Sequence, residues 1–201
     1  VIVRFVARTL RFRHSAGVVR LSGMTYRLLM VCTGNICRSA MAEVILNDRF
    51  ESEGIDAVVD SAGISAEEHG NPIDYRAQKT LRRAGYEVPD HFAKQVKAHE
   101  LADYDLVLAM TSNHMNWLES LADRAGVNVI ENPDVGDPHA TDIRMFRAFD
   151  PEFVDNPPKR RRELDVPDPW YGDQDDFEIT LDTIESAADT IVQHVKEQLA
   201  K

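Results

Sequence analysis

A short apolar run leads directly into a small polar turn near the beginning of the sequence. Residues 26–31 are mostly apolar, as in a buried strand, and they run into Cys32-Thr-Gly-Asn-Ile-Cys-Arg-Ser39. A helical pattern follows, and Ser39 has the side chain of a helix N-cap. A strand, a tight turn and a helix in this order predict the first unit of an α/β fold with a mainly parallel sheet.

The rest of the chain continues this alternation. Further strands are predicted at 57–61, 104–110 and 127–130, and further helices at 74–84, 111–125 and 177–199. Residues 132–172 are rich in Pro, Asp and Arg, which predicts a long loop with a helical turn near 143–148. Ligands of such sheets bind at the carboxyl ends of the strands, where the polar turn lies.

Length, charge and cysteine content limit the class of protein. The 201 residues suit one domain over residues 24–201, preceded by an Arg-rich, acid-free segment at 1–23 that we expect to be a disordered extension or a targeting segment. A net charge of −11 argues against nucleic acid as the main partner, since that binding depends on Lys and Arg. No apolar run is long enough to cross a membrane.

The two cysteines predict a reactive thiol in a reducing, cytoplasmic setting. Cys32 and Cys37 are too few for a secreted disulfide framework, and no further Cys or His pair completes a zinc site with them. Four of the seven histidines, at 69, 114, 139 and 194, show no ligand spacing, so we expect them at the surface and expect no metal.

The polar turn is suited to binding an anion. Backbone N–H groups between a strand and a helix can point inward at an anion, and Gly34 and Asn35 tolerate the positive φ that such a turn needs. Arg38 can add two parallel hydrogen bonds to phosphate oxygens. The same surroundings favour the thiolate of Cys32, and the hydroxyl of Ser39 can hydrogen-bond to that thiolate.

An acid for this chemistry is found far along the chain. Asp168 lies between Pro167 and Pro169, which stiffen the backbone and hold the carboxyl group in one direction. We expect Asp168 to protonate a leaving phenolate and then to act as the base for an attacking water.

These two motifs, Cys32-Thr-Gly-Asn-Ile-Cys-Arg-Ser39 and Asp168-Pro-Trp-Tyr171, resemble the low-molecular-weight protein-tyrosine-phosphatase family in its bacterial form. The resemblance covers nearly all of residues 25–200. It implies a doubly wound, four-stranded parallel sheet and hydrolysis of phosphotyrosine in proteins through a phosphocysteine intermediate, without metal or cofactor. By position, Cys32 is the nucleophile, Arg38 binds phosphate and Asp168 is the general acid. The implied enzyme is cytoplasmic and mostly monomeric, with phosphotyrosine proteins as partners.

The resemblance also implies the remaining site residues. Ser61 and His91, together with Asn35 and Ser39, resemble the network that supports the turn, and His91 is expected to be structural rather than catalytic. Trp170 and Tyr171 would wall the cleft around the phenyl ring. The expected substrate contacts are Thr33, Gly34, Asn35, Ile36, Cys37, Ser39, Trp170 and Tyr171.

Two of the departures from the pattern of the family bear on the substrate. Glu67 stands about where relatives carry an aromatic residue, which weakens ring stacking in the cleft and affects substrate preference. The segment from about 137 to 164 is longer and contains Lys159-Arg-Arg-Arg162, which is either a solvated loop or a docking site for acidic substrates.

Three other functions remain possible from the sequence. An arsenate reductase of this fold needs a relay of thiols, for which only Cys37 is present. Protein-arginine phosphatases tend to carry threonine in place of Ile36. A non-catalytic phosphate-binding or redox module would not need Asp168. Cys37 itself is either a packed residue or the partner of Cys32 in a reversible disulfide.

Overall fold

Parallel strands form one sheet in the computed structural model, which describes residues 25–130 and 141–201. Within that part of the chain the order is β2-β1-β3-β5-β4. The strands are β1 (Tyr26–Cys32), β2 (Ala57–Gly63), β3 (Leu106–Ala109), β4 (Val129–Ile130) and β5 (Thr141–Met145). β4 has two residues and lies at the edge, so four longer strands carry the sheet, and the predicted parallel α/β fold is confirmed.

Helices connect the strands and cover the sheet. They are α1 (Arg38–Glu53), α2 (Tyr75–Arg83), α3 (Ser112–Ala125), α4 (Pro151–Val154) and α5 (Gln174–Leu199), with 3-10 turns at Ala98–Asp103, Phe146–Phe149 and Arg161–Leu164. Thr111 caps α3, because its side chain accepts a hydrogen bond from the His114 N–H. Asp173 caps α5 and forms a reciprocal capping box with Asp176.

Alternate residues of β1 face the two sides of the sheet. Leu28 and Met30 pack in one apolar cluster with α1 and α5, whereas Leu29 and Val31 pack in a second cluster with α3. Burial on both faces is typical of parallel strands with a helix layer on each side. The doubly wound arrangement is therefore confirmed.

The strand order places the site. β1 pairs with β2 on one side and with β3 on the other, so the chain reverses its direction of winding next to β1. Ligands bind at such switch points, outside the carboxyl ends of the strands. Cys32 is the last residue of β1 and lies at this point.

One part of the predicted loop at 132–172 is wrong. Thr141–Met145 is β5, which pairs with β3 inside the sheet, and the predicted helical turn is the 3-10 turn that follows it. The predicted extension at 1–23 lies outside the described residues. Among the helices that are described, none is long and apolar enough to span a membrane.

Candidate active site

The turn between β1 and α1 is the centre of the candidate site, and residues 32–39 are called the cysteine loop below. Asn35 has φ of +61°, the left-handed region that asparagine tolerates, as predicted. Gly34 does not have positive φ, contrary to the prediction, and lies close to the side chain of Glu68. A Cβ at Gly34 would lie 2.9 Å from Cγ of Glu68.

The thiol of Cys32 has two hydrogen-bonding neighbours. The Asn35 N–H donates to Sγ at 3.2 Å, and the Ser39 Oγ lies 3.0 Å from Sγ. Since Ser39 Oγ accepts a hydrogen bond from Asn35 Nδ2 at 3.1 Å, its own proton is free to point at the sulfur. Ser39 is therefore not the N-cap that the sequence suggested; Cys37 holds that position, and Ser39 turns inward to the nucleophile.

Asn35 also ties the cysteine loop to the neighbouring segments. Its Nδ2 donates to Ser61 Oγ at 2.6 Å, and its Oδ1 accepts from the Lys94 N–H at 2.9 Å. His91 Nε2 donates to the Asn35 carbonyl at 2.7 Å, because a carbonyl oxygen can only accept. The structure thus brings Asn35, Ser39, Ser61 and His91 together.

A half-buried carboxylate lies behind this network. Glu43 accepts a hydrogen bond from Ser61, and its Oε2 lies 3.7 Å from His91 Nδ1. Burial raises the pKa of Glu43, and the hydrogen bond from Ser61 opposes that rise. The sequence analysis did not select Glu43, because a glutamate four residues after Ser39 on a helix does not by itself indicate a contact with this network.

Arg38 lies almost wholly buried at the start of α1. Its Nη2 donates to Asp168 Oδ2 at 2.9 Å, and its Nη1 is 3.5 Å from the Val166 carbonyl oxygen. Its Nε is buried and has no hydrogen-bond partner within the described residues. A buried guanidinium with a free donor beside a thiol is suited to hold an anion.

Asp168 belongs to a segment at 166–172 that is called the acid loop below. The Val166 N–H donates to the Met110 carbonyl at 2.8 Å, which fixes the acid loop next to the end of β3. Asp168 Oδ1 accepts from the Trp170 N–H at 3.2 Å, and the carboxyl group is 45% exposed. One oxygen therefore contacts Arg38 and the other is held by the acid loop.

A cavity of about 250 Å³ lies between the two loops. Trp170 is 39% and Tyr171 93% exposed beside it. Its walls are formed by Cys32, Thr33, Gly34, Ile36, Cys37, Arg38, Glu67, Glu68, Asp168, Trp170 and Tyr171.

Comparison with known proteins shows the family. The profile of the "Low molecular weight phosphotyrosine protein phosphatase" family matches residues 27–201. The chain belongs to this family.

Relatives and a solved structure agree with that assignment. A "Low molecular weight protein-tyrosine-phosphatase" of Streptomyces coelicolor is 37% identical over 178 residues, which are 88% of this chain and 97% of the relative. A "Low molecular weight protein-tyrosine phosphatase A" of Mycobacterium bovis is 40% identical over 173 residues, 85% of this chain and 92% of the relative. The solved structure of Vibrio vulnificus Wzb in complex with benzylphosphonate has a TM-score of 0.65 and 26% identity, and covers 85% of this chain and 99% of Wzb.

This phosphatase has a buried histidine that the sequence analysis missed. His114 was expected at the surface, but it is 2% exposed and its Nε2 lies 2.9 Å from Thr33 Oγ1. Burial, and secondarily the charge of Arg38, lowers the pKa of His114 to about 3, so the ring is neutral. The available signal was its place in the first turn of α3, directly after the central strand β3.

Both cysteines of the phosphatase are free thiols. Cys37 lines the cavity and is buried, and burial followed by the charge of Asp74 raises the pKa of its thiol. A protonated thiol is a poor nucleophile, so Cys37 is not suited to attack.

The two departures from the family pattern are also placed. Glu67 is exposed and lines the cavity wall, at the position where relatives are expected to carry an aromatic residue. Within Lys159–Arg162, Arg161 pairs with Glu119 of α3 at 2.9 Å, so at least one of these four cations is bound to the protein itself.

Proposed function

We propose that this phosphatase hydrolyses phosphotyrosine in proteins through a phosphocysteine on Cys32. The observation that carries the proposal is the common cavity onto which Cys32, Arg38 and Asp168 open, with Arg38 bonded to Asp168. The names of the relatives support a phosphotyrosine substrate, and the benzylphosphonate bound to Wzb supports an aromatic group next to the phosphoryl group.

In the first step the thiolate of Cys32 attacks phosphorus. The S–P bond forms as the bond from phosphorus to the tyrosine oxygen breaks, and protonated Asp168 gives its proton to that oxygen. Arg38 and the N–H groups of the cysteine loop stabilise the charge on the phosphoryl oxygens. Neither the proton donation by Asp168 nor the charge stabilisation by Arg38 and the N–H groups requires a metal ion.

In the second step water attacks the phosphocysteine. The Asp168 carboxylate takes a proton from the water, the S–P bond breaks, and inorganic phosphate leaves. Ser39 and the Asn35 N–H stabilise the thiolate of Cys32 as it is expelled, because both lie within hydrogen-bond distance of Sγ.

The cleft is proposed to grip the phenyl ring between the acid loop and the wall at Glu67. Trp170 and Tyr171 supply the aromatic surface of the cavity. The N–H groups of the cysteine loop are proposed to surround the phosphate, although Asn35 and Ser39 are buried and do not line the cavity. Ser61 and His91 act only by holding Asn35. We propose a mostly monomeric enzyme, and the reactive thiol supports a reducing, cytoplasmic setting.

The test is phosphate release from matched peptides by the full chain, with a thiol reductant and a chelator present. We expect fast release from phosphotyrosine and little from phosphoserine or phosphoarginine. Cys32→Ser should bind the phosphotyrosine peptide and release no phosphate. Preferential release from phosphoarginine would overturn the substrate, and turnover by Cys32→Ser would overturn the phosphocysteine route.

A further inference from the structure

The beginning of α2 lies between the cysteine loop and the acid loop. The Asp74 N–H donates to the Ile36 carbonyl of the cysteine loop at 2.8 Å. The Asp74 side chain caps α2 by accepting from the Arg76 N–H at 2.8 Å. This helix therefore begins in direct contact with the phosphate-binding side of the cavity.

The guanidinium of Arg76 is held in a fixed position. Its Nε and Nη2 donate to the two carboxylate oxygens of Asp74, each at 3.1 Å. Its face lies 4.6 Å from the ring centre of Phe177, which is fully buried in α5. The Arg76 side chain is only 17% exposed, and a planar group held by two oxygens and a ring has little freedom to move.

The third nitrogen of this guanidinium holds the acid loop. Nη1 of Arg76 donates to the carbonyl oxygens of Trp170 at 3.3 Å and of Gly172 at 3.0 Å. The Gly172 N–H in turn donates to the Pro169 carbonyl at 3.0 Å, which closes the turn that follows Asp168. Arg76 thus fixes both ends of the Trp170–Gly172 segment.

The same turn holds the carboxyl group of Asp168. The Trp170 N–H donates to Asp168 Oδ1, while its carbonyl accepts from Arg76. A continuous series of hydrogen bonds therefore leads from Arg76 through the backbone of Trp170 to the acid.

We propose that Arg76 is a positioning residue for the general acid, holding the turn that aims Asp168 at the leaving oxygen. The inference rests on the proposed role of Asp168. Lysine cannot replace Arg76 fully, because a single ammonium cannot hydrogen-bond to both oxygens of Asp74 and to two carbonyls at once. Arg76 contacts neither the cavity nor Cys32, so the proposal assigns it no part in binding phosphate.

The test compares leaving groups. General acid assistance matters most for a basic leaving group such as the tyrosine phenolate, and less for the more acidic phenol of p-nitrophenyl phosphate. For Arg76→Met we expect kcat/KM on a phosphotyrosine peptide to fall about 10-fold or more, because acid catalysis contributes roughly 10²–10⁴-fold. The loss on p-nitrophenyl phosphate should be clearly smaller, and competitive inhibition by inorganic phosphate should change less than about twofold.

Two companion variants make the result decisive. Arg83→Met lies on the same helix and removes an exposed pair with Glu178, so it should leave both substrates unaffected. Arg76→Lys keeps the charge and should show the same split between substrates in a milder form, which keeps the test available if Arg76→Met does not fold.

The second variant series uses Asp168→Asn. Adding Arg76→Met to Asp168→Asn should cause little further loss, because the acid is already absent. Equal losses on both substrates, or a full additional loss in the double variant, would overturn the positioning role of Arg76. Neither result would bear on the role of Asp168. If Asp168→Asn by itself left kcat/KM unchanged, the proposed acid would be wrong, and that result is seen without any Arg76 variant.

Discussion

Single residues near Cys32 owe their roles to partners that are distant in sequence. The sequence predicted Cys32, Arg38 and Asp168 as catalytic residues because each motif has a recognisable spacing, and the structure places all three on one cavity. It misplaced Ser39 and His114, because a serine before a helix is usually a cap and a lone histidine is usually exposed. Only the tertiary fold brings Asn35 against Ser61 and Thr33 against His114. Arg76 was missed for the same reason, since its acceptors lie 94 and 96 positions away.

Ser39→Ala tests the stabilisation of the leaving thiolate. A hydrogen bond to a charged group contributes about 1.5–3 kcal/mol, so breakdown of the phosphocysteine should slow by roughly 10- to 100-fold. Phosphorylation of Cys32 should be affected less, and a rapid burst of phenol followed by slow turnover should appear in stopped-flow measurements. A variant that shows no burst and loses both steps equally would contradict this role.

His114→Gln tests the buried neutral ring. The folded-state pKa of His114 is lowered to about 3 from an unfolded value near 6.5, so the unfolded chain binds the extra proton first. The stability that this histidine contributes is present above pH ~6.5 and is lost as the pH falls from there towards ~3, by up to about 1.4 kcal/mol per pH unit. The free energy of unfolding measured in urea should therefore fall more on acidification for wild type than for His114→Gln.

The matched control is His99→Gln, which replaces an exposed histidine. Its unfolding curve should follow wild type at every pH. Parallel loss of stability in wild type and His114→Gln between pH 7 and 4 would mean that His114 is not kept neutral by burial.

At the scale of elements, the apolar strands were predictable and the polar strand was not. β3 is wholly apolar and β1 is apolar except for Arg27, whereas β5 contains Asp142 and Arg144 and resembles a loop in sequence. The ion pair between Arg144 and Asp142, at 2.7 Å, compensates these charges inside the fold. Pairing with β3 then stabilises a strand at residues whose own β-strand propensity is weak.

The contact between β2 and the cysteine loop gives a prediction about these elements. A Cβ at Gly63, the last residue of β2, would lie 2.5 Å from the Thr33 carbonyl oxygen, so Gly63→Ala must push the cysteine loop away. We expect a loss of about 1–3 kcal/mol in the free energy of unfolding and weaker binding of inorganic phosphate.

Gly85→Ala separates strain from displacement of the loop. Gly85 has φ of +96° with open space around it, so alanine there is strained without touching the site. It should lower the thermal midpoint and leave phosphate affinity as in wild type. Equal phosphate affinity in Gly63→Ala and Gly85→Ala would show that the close approach at Gly63 does not shape the loop.

At the scale of the whole molecule, the predicted domain boundary before residue 24 can be tested directly. The matched family profile begins at residue 27, so a protein of residues 24–201 should keep the kcat/KM of residues 1–201 within about twofold. Side-by-side kinetics on the same phosphotyrosine peptide tests this. A large loss that returns with residues 1–23 would show that the extension takes part in catalysis or folding.

The central claim is the phosphocysteine on Cys32, and the most direct test is to trap it. Full-length enzyme is mixed with a phosphotyrosine peptide carrying radioactive phosphate, quenched within milliseconds, digested and sequenced. The proposed mechanism predicts one labelled peptide, with the phosphate on Cys32, and no label in Cys32→Ser. Label on another residue, or turnover with no covalent label in wild type, Ser39→Ala or Asp168→Asn, would contradict it.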